Sequence, residues 1–317
     1  MSANWPELAY SGYDRLACLR SLVRRARFPL HRGESYRPFF IVGPGRCGTT
    51  LLRRILAASP EIHIPPESYM VGRAVDLFRR YRTMMHWDEI VRMVLALFEF
   101  HRQFDRYRVS LRPLVLRLVD APPGSRSLAL ILDGFYRYHG EQTGQEFVRW
   151  GDKTPLYSYS QEKILAVFPD ARFVHLVRDG ADVALSMLKA QIRPNMDVER
   201  AAVRYKITVA ALLRFARRHP AVCHRVRYED LVADAAGTVE ALCRFLDVAF
   251  DPAMIESTQH RRQMADLETF DHHRNVFKPI TTASIGGGRR ELSAEQKARL
   301  QELIGPELRL LGYDPVA

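Results

Sequence analysis

The chain has 317 residues and a formal charge of +11 at pH 7, from 47 Lys+Arg against 36 Asp+Glu. Hydrophobic residues make up 47%, and Gly and Pro number 18 each, which excludes a disordered tail protein, a collagen-like repeat and a disulfide scaffold. Only six of the 47 are Lys, so the excess is guanidinium, spread from Arg15 to Arg309 and densest at Arg24-Arg25-Arg27 and Arg79-Arg80-Arg82. Such a charge points to anionic partners, while its spread argues against a nucleic-acid arm, so no nucleic-acid partner is expected.

The four cysteines, Cys18, Cys47, Cys223 and Cys243, show no CxxC spacing. Free thiols in a reducing compartment and no metal site are expected. Met1 to Tyr10 carries no apolar signal core, and no apolar stretch approaches the ~20 residues that span a bilayer. A soluble, cytoplasmic protein without an integral membrane span is the expectation.

Residues 1–37 are polar and basic and read as a surface leader, with 38–317 as a single α/β domain. Phe39-Phe40-Ile41-Val42 is a short apolar run closed by Gly43-Pro44-Gly45, the pattern of a buried strand entering a tight turn. Leu51, Leu52, Ile55 and Leu56 then recur at helical spacing until Pro60. Residues 70–147 read mostly as helix, with stripes at Val91, Val94, Leu95, Phe98 and at Leu114 to Val119, and are taken as a helical insertion capping the sheet. Leu128 to Asp133 suits a strand and a helix about equally. Arg172 to Val177 reads as a second strand, followed by Arg178-Asp179-Gly180 and a helix for which Asp179 is the N-cap. Val222 to Val226 reads as a third strand and Thr238 to Leu246 as a helix. Residues 278–291 read as a loop around Gly286-Gly287-Gly288, and Ser293 with Gln296 forms a capping box for a last helix. Alternating strands and helices imply a parallel sheet covered on both faces.

The most informative segment is Gly43-Pro44-Gly45-Arg46-Cys47-Gly48-Thr49-Thr50. Unpaired amides and the helix dipole make a loop before a helix an anion site. Arg46 adds a fork for two anionic oxygens, and Thr49 and Thr50 add hydroxyls. The nucleotide P-loop G-x-x-x-x-G-K-[ST] has a Lys where this chain has Thr49, which speaks against ATP or GTP hydrolysis.

Arg46-Cys47-Gly48-Thr49-Thr50-Leu51-Leu52 resembles the 5′-phosphosulfate loop of sulfotransferases that use 3′-phosphoadenosine-5′-phosphosulfate (PAPS). Arg178-Asp179 with Ser186 resembles the same family's 3′-phosphate motif. Trp150-Gly151-Asp152-Lys153-Thr154-Pro155, Arg227-Tyr228-Glu229-Asp230-Leu231-Val232 and Lys278 to Leu292 are similar to three further segments, in the family's order. The likeness is to the bacterial, tyrosylprotein-sulfotransferase-like branch. It implies a P-loop-like α/β fold, PAPS as co-substrate and 3′-phosphoadenosine-5′-phosphate (PAP) as product.

Carried over residue by residue, the resemblance implies cofactor contacts from Gly45, Arg46, Cys47, Gly48, Thr49, Thr50, Arg178, Ser186, Tyr228 and Arg289. Glu67, in Ile64-Pro65-Pro66-Glu67-Ser68, is the expected base, with His63 as the alternative. Lys153 and Arg46 are expected to stabilise the transferring group, with Asp152 orienting Lys153. His175, inside an apolar strand, reads as a core His, and His272-His273 has no metal-site partner. One departure is plain. The family's S-x-G-R-W-R reads Ser284-Ile285-Gly286-Gly287-Gly288-Arg289 here, so Arg289 or Arg290 would supply the charge and the glycines would offer amides to an anion. The acceptor (a glycan, lipid, phenol or peptide) would sit against residues 70–147. A small-molecule kinase and a non-catalytic nucleotide-binding module are the competing readings.

Overall fold

In the computed structural model, residues 27–191, 194–256 and 279–316 are described. The expectations for residues 1–26 of the leader, Cys18 among them, and for His272-His273 and Lys278 lie outside these residues. What is described of the leader packs on the domain. Phe28 tilts against Trp87 with ring centroids 5.2 Å apart, and the Leu128 amide donates to the Pro29 carbonyl at 3.2 Å.

Strand β1 is Phe39–Val42, buried along its whole length, as a central parallel strand must be. Helix α1 (Thr49–Ala57) follows at once and β2 is only Ile62–His63. Four helices come next: α2 (Val71–Tyr81), α3 (Trp87–Glu99), α4 (Arg112–Val119) and α5 (Leu128–Gln142). Leu128 to Asp133 is therefore helical, its start capped by Ser127, which accepts from the Leu130 amide at 3.1 Å. Strand β3 (Arg149–Lys153) returns the chain to the sheet, and α6 (Gln161–Val167), β4 (Arg172–Val177) and α7 (Gly180–Ala190) extend it. Then come α8 (Val198–Arg218), β5 (Cys223–Arg227), α9 (Tyr228–Ala233), α10 (Ala235–Leu246), α11 (Ala253–Glu256), α12 (Gly287–Glu291) and α13 (Ala294–Leu310).

The sheet runs β2-β3-β1-β4-β5, and every pairing is parallel. Its register sets Ile41 beside Lys153 on one side and Val174 on the other. All strands therefore end at one edge, where ligands bind in open α/β sheets. The helices α2 to α5 form one block between β2 and β3. Among the described residues, no helix is long and apolar enough to cross a membrane. Cys47, Cys223 and Cys243 are free thiols.

Residues 286–291 correct the reading of that segment as loop. Gly286 turns the chain at φ 73 and α12 begins behind it. A Cβ on Gly288 would stand 2.1 Å from the Ala181 carbonyl carbon, so only Gly lets α12 lie on the first turn of α7.

Candidate active site

At the carboxyl edge, a cavity of about 780 Å³ is lined by Gly45, Arg46, Gly48, Thr49, Thr50, Glu67, Lys153, Arg178, Ser186 and Tyr228, with Leu51, Pro155, Val232, Pro279, Ile280, Thr281, Ala283 and Ser284 completing its wall. Its size is that of a small-molecule site. Gly48, at φ 102, turns the loop into α1, whose first-turn amides have no partner within the helix. A side chain on Gly48 would collide with Tyr228, whose Cδ2 lies 2.4 Å from a Cβ built there. Arg46 sits at φ 73, a strained setting for a side chain that carries one of the site's charges.

The two anion-binding segments meet inside this cavity. Arg46 Nε donates to Ser186 Oγ at 3.2 Å. Arg178 lies over the Tyr228 ring, 4.2 Å from its centroid, and its Nη2 donates to the Ser284 carbonyl at 2.5 Å. The Tyr228 hydroxyl bonds Ser284 Oγ at 2.7 Å. Burial, then the Arg178 charge, lowers the Arg46 pKa, yet a guanidinium stays charged at neutral pH. Two cations facing one partly enclosed space are relieved by an anion between them.

Glu67 and Lys153 form the third element. Lys153 Nζ donates to Glu67 Oε1 and the Tyr69 hydroxyl donates to Glu67 Oε2. Burial pushes the Glu67 pKa up, but the Lys153 charge and the two hydrogen bonds outweigh it, and the net direction is down. The carboxylate is ionised at neutral pH and able to accept a proton.

Asp152 does not orient Lys153. Neighbouring strand residues face opposite sides of a sheet, and Asp152 accepts from Tyr136 at 2.6 Å and Ser68 at 2.7 Å in the interior. His63 is also elsewhere. Its Nε2 bonds His139 Nδ1 at 2.9 Å, its Nδ1 bonds Gln145, and it borders a second cavity. Burial drops its pKa to about 4. His175 bonds Gln161 at 2.5 Å in the core.

Two of the expected cofactor residues have their side chains engaged elsewhere. Cys47 points its Sγ at the Leu176 carbonyl, 3.4 Å away beneath the loop, and burial pushes its thiol up to about 12. Arg289 is consumed by structure. Its Nε donates to Asp179 Oδ2 at 2.7 Å, and its two Nη donate to the carbonyls of Asp314 (2.7 Å) and Pro315. Arg290 Nη1 donates to the Ile285 carbonyl at 3.0 Å. The glycine amides are equally engaged, because Asp182 accepts from Gly286 N at 2.9 Å and Gly288 N at 2.7 Å.

The sequence reading missed Tyr69 and this role of Asp182. Only proximity to Glu67 could have pointed to Tyr69. No residue of 70–147 borders the Glu67 cavity, whereas several border the second one. Among the described residues, no group of three His, Cys, Asp or Glu could hold a metal ion.

Residues 38–252 match the profile of the sulfotransferase family. The protein-tyrosine sulfotransferase of Drosophila melanogaster is 22% identical over 286 residues, which cover 88% of this chain and 52% of the fly protein. This chain thus corresponds to about half of the fly protein's length. The nodulation protein NoeE of Sinorhizobium fredii is 26% identical over 305 residues, covering 87% and 65% of the two chains. Among solved structures, the sulfotransferase domain of the Synechococcus PCC 7002 olefin synthase superposes with a TM-score of 0.61 at 23% identity, over 89% of this chain and 98% of that domain.

Proposed function

The chain belongs to the sulfotransferase family, and from that membership we propose that it moves a sulfuryl group from PAPS to an acceptor hydroxyl or amine, releasing PAP. The observation that carries this is the single cavity in which the Arg46 loop, Arg178 with Ser186, and the Glu67–Lys153 pair all converge. The donor set fits the nucleotide. Arg46, Thr49, Thr50 and the α1 amides suit the 5′ anionic group, Arg178 and Ser186 suit the 3′-phosphate, and Tyr228 lies between the two.

Sulfuryl transfer resembles phosphoryl transfer in needing position and charge stabilisation more than covalent work from the protein. The acceptor oxygen or nitrogen forms its bond to sulfur as the bond from sulfur to the donor's 5′-phosphate oxygen breaks. Glu67 takes the acceptor's proton. Lys153 and Arg46 meet the charge that builds on the departing oxygen. Lys153 neutralises Glu67 at rest. Drawn toward the departing oxygen, it leaves the carboxylate a stronger base at the moment of transfer.

A transfer assay with sulfur-labelled PAPS and a panel of hydroxylated acceptors tests the reading. Labelled product is expected from the wild type, and Glu67→Gln should abolish it while PAP still binds. Undiminished transfer by Glu67→Gln would remove Glu67 from the base role.

A further inference from the structure

Glu67 and Ser68 are neighbours on the segment that joins β2 to α2, and Asp152 and Lys153 are neighbours at the end of β3. The two pairs meet. Lys153 donates to Glu67, and Ser68 Oγ donates to Asp152 Oδ2 at 2.7 Å. We propose that Asp152 is a positioning residue for sulfuryl transfer, which acts through Ser68 to fix the backbone that carries Glu67 and so holds the base opposite Lys153. The assignment rests on the sulfuryl-transfer reading above.

The order of the hydrogen bonds is the first argument. Each hydroxyl has one proton to give. Tyr136 gives its proton to Asp152 Oδ2 at 2.6 Å, and Ser68 gives its own to the same oxygen. Tyr157 is then the donor across the 2.5 Å to Ser68 Oγ, and its oxygen accepts from the Val71 amide at 3.0 Å, at the start of α2. The chain from Val71 through Tyr157 and Ser68 thus ends on one carboxylate oxygen, which sets its direction. The Ser68 amide adds a second tie by donating to Thr154 Oγ1 at 3.2 Å.

Burial is the second argument. Asp152, Tyr136, Tyr157 and Ser68 are all buried, so water cannot replace a broken link. Tyr69, the next residue, sits at φ 59, a conformation that its surroundings must enforce. The network holds Ser68 before it and Val71 after it, and Tyr69 in turn donates to Glu67 Oε2. Asp152, Ser68, Tyr136 and Tyr157 do not line the donor cavity. Their influence on transfer therefore runs through the placement of Glu67 and not through the nucleotide.

The test uses the full chain with Ser68→Ala and Asp152→Asn. Ser68→Ala cuts the link, and kcat should fall about tenfold or more while PAP affinity stays within about twofold. The Glu67 carboxyl, released from Lys153, should titrate at higher pH, read from its ¹³C signal and assigned by the loss of that signal in Glu67→Gln. Lys153, Arg53, Tyr69 and Asp152 are the charged and titrating groups that act on Glu67, and Ser68→Ala removes none of them. Asp152→Asn keeps an acceptor for Ser68 and should hold kcat within about threefold even where its unfolding midpoint falls. If Ser68→Ala lowers only the midpoint, with kcat and the Glu67 titration as in the wild type, the link is merely structural and the proposal is overturned. An equal loss of kcat in both variants overturns it as well, since the charge and not the acceptor would then matter. If the wild type transfers no sulfuryl group, the reading beneath the assignment fails, while the ¹³C titration still decides whether this network holds Glu67 against Lys153.

Discussion

Gly48→Ala strikes the joint between the loop and the nucleotide cavity. At φ 102 a residue with a Cβ is strained, at a cost of about 1–2 kcal/mol. The new Cβ would also stand 2.4 Å from Tyr228 Cδ2 and 2.8 Å from Cε2, so the ring must retreat by about 1 Å to reach ordinary contact. That ring carries the Arg178 guanidinium at 4.2 Å and the Ser284 hydroxyl at 2.7 Å. Losing the stacking forfeits about 1 kcal/mol and losing the hydrogen bond about another 1 kcal/mol. Together these correspond to a PAP dissociation constant about thirtyfold weaker. The backbone strain adds a fall in Tm of about 2 °C. Calorimetric titration and a thermal melt read the two effects separately. Tyr228→Ala alone should weaken PAP by a similar amount, and adding Gly48→Ala to it should change PAP affinity little, because the colliding ring is gone. Wild-type affinity in Gly48→Ala, or full additivity in the double variant, would refute the account of this contact.

Arg289→Ala should leave the PAP dissociation constant within about twofold while lowering Tm by a few degrees, since the side chain ties Asp179 to Asp314 and Pro315; a large loss of PAP affinity would restore it to the cofactor set. Asp182→Asn leaves one of the Gly286 and Gly288 amides facing an amide donor and should cost about 2 kcal/mol or more in denaturant unfolding; no change in midpoint would show that α12 is held by other contacts. Tyr69→Phe removes one donor to the Glu67 carboxylate, so the Glu67 pKa should rise and the acid limb of kcat/KM should move to higher pH; an unmoved limb would mean that Tyr69 does not tune the base. In the wild type the Glu67 pKa lies below its ordinary value, chiefly through Lys153 set against burial. Its contribution to stability should be present above the unfolded-state pKa and lost as pH falls through the folded one. Melts of wild type and Glu67→Gln should therefore converge on acidification, and parallel curves would contradict the sign.

Where chemistry and pattern coincided, the sequence was readable. Phe39 to Val42 is apolar because it is buried on both faces, and Asp179 caps α7 as its position implied. Strand β3 was not readable, because Arg149, Asp152 and Lys153 are polar residues buried in it and held by partners that no local pattern reveals. Once Arg149–Lys153 is a strand, alternation alone separates Asp152 from Lys153. Arg289 shows the other limit. A linear motif states that a guanidinium is present, but not that Asp179 and two carbonyls have already used it. Tyr69 reaches Glu67 from two residues away through a backbone turn at φ 59, which no spacing rule anticipates.

The central claim is that Arg46 and Arg178 grip opposite ends of one nucleotide beside Glu67. Calorimetric titration of PAP into wild type, Arg178→Ala and Glu67→Gln tests it most directly. The account predicts one site per chain in the wild type, affinity weakened by about tenfold or more in Arg178→Ala, and affinity nearly unchanged in Glu67→Gln. An absence of PAP binding by folded wild-type protein at high micromolar concentration, or equal binding by Arg178→Ala, would contradict it.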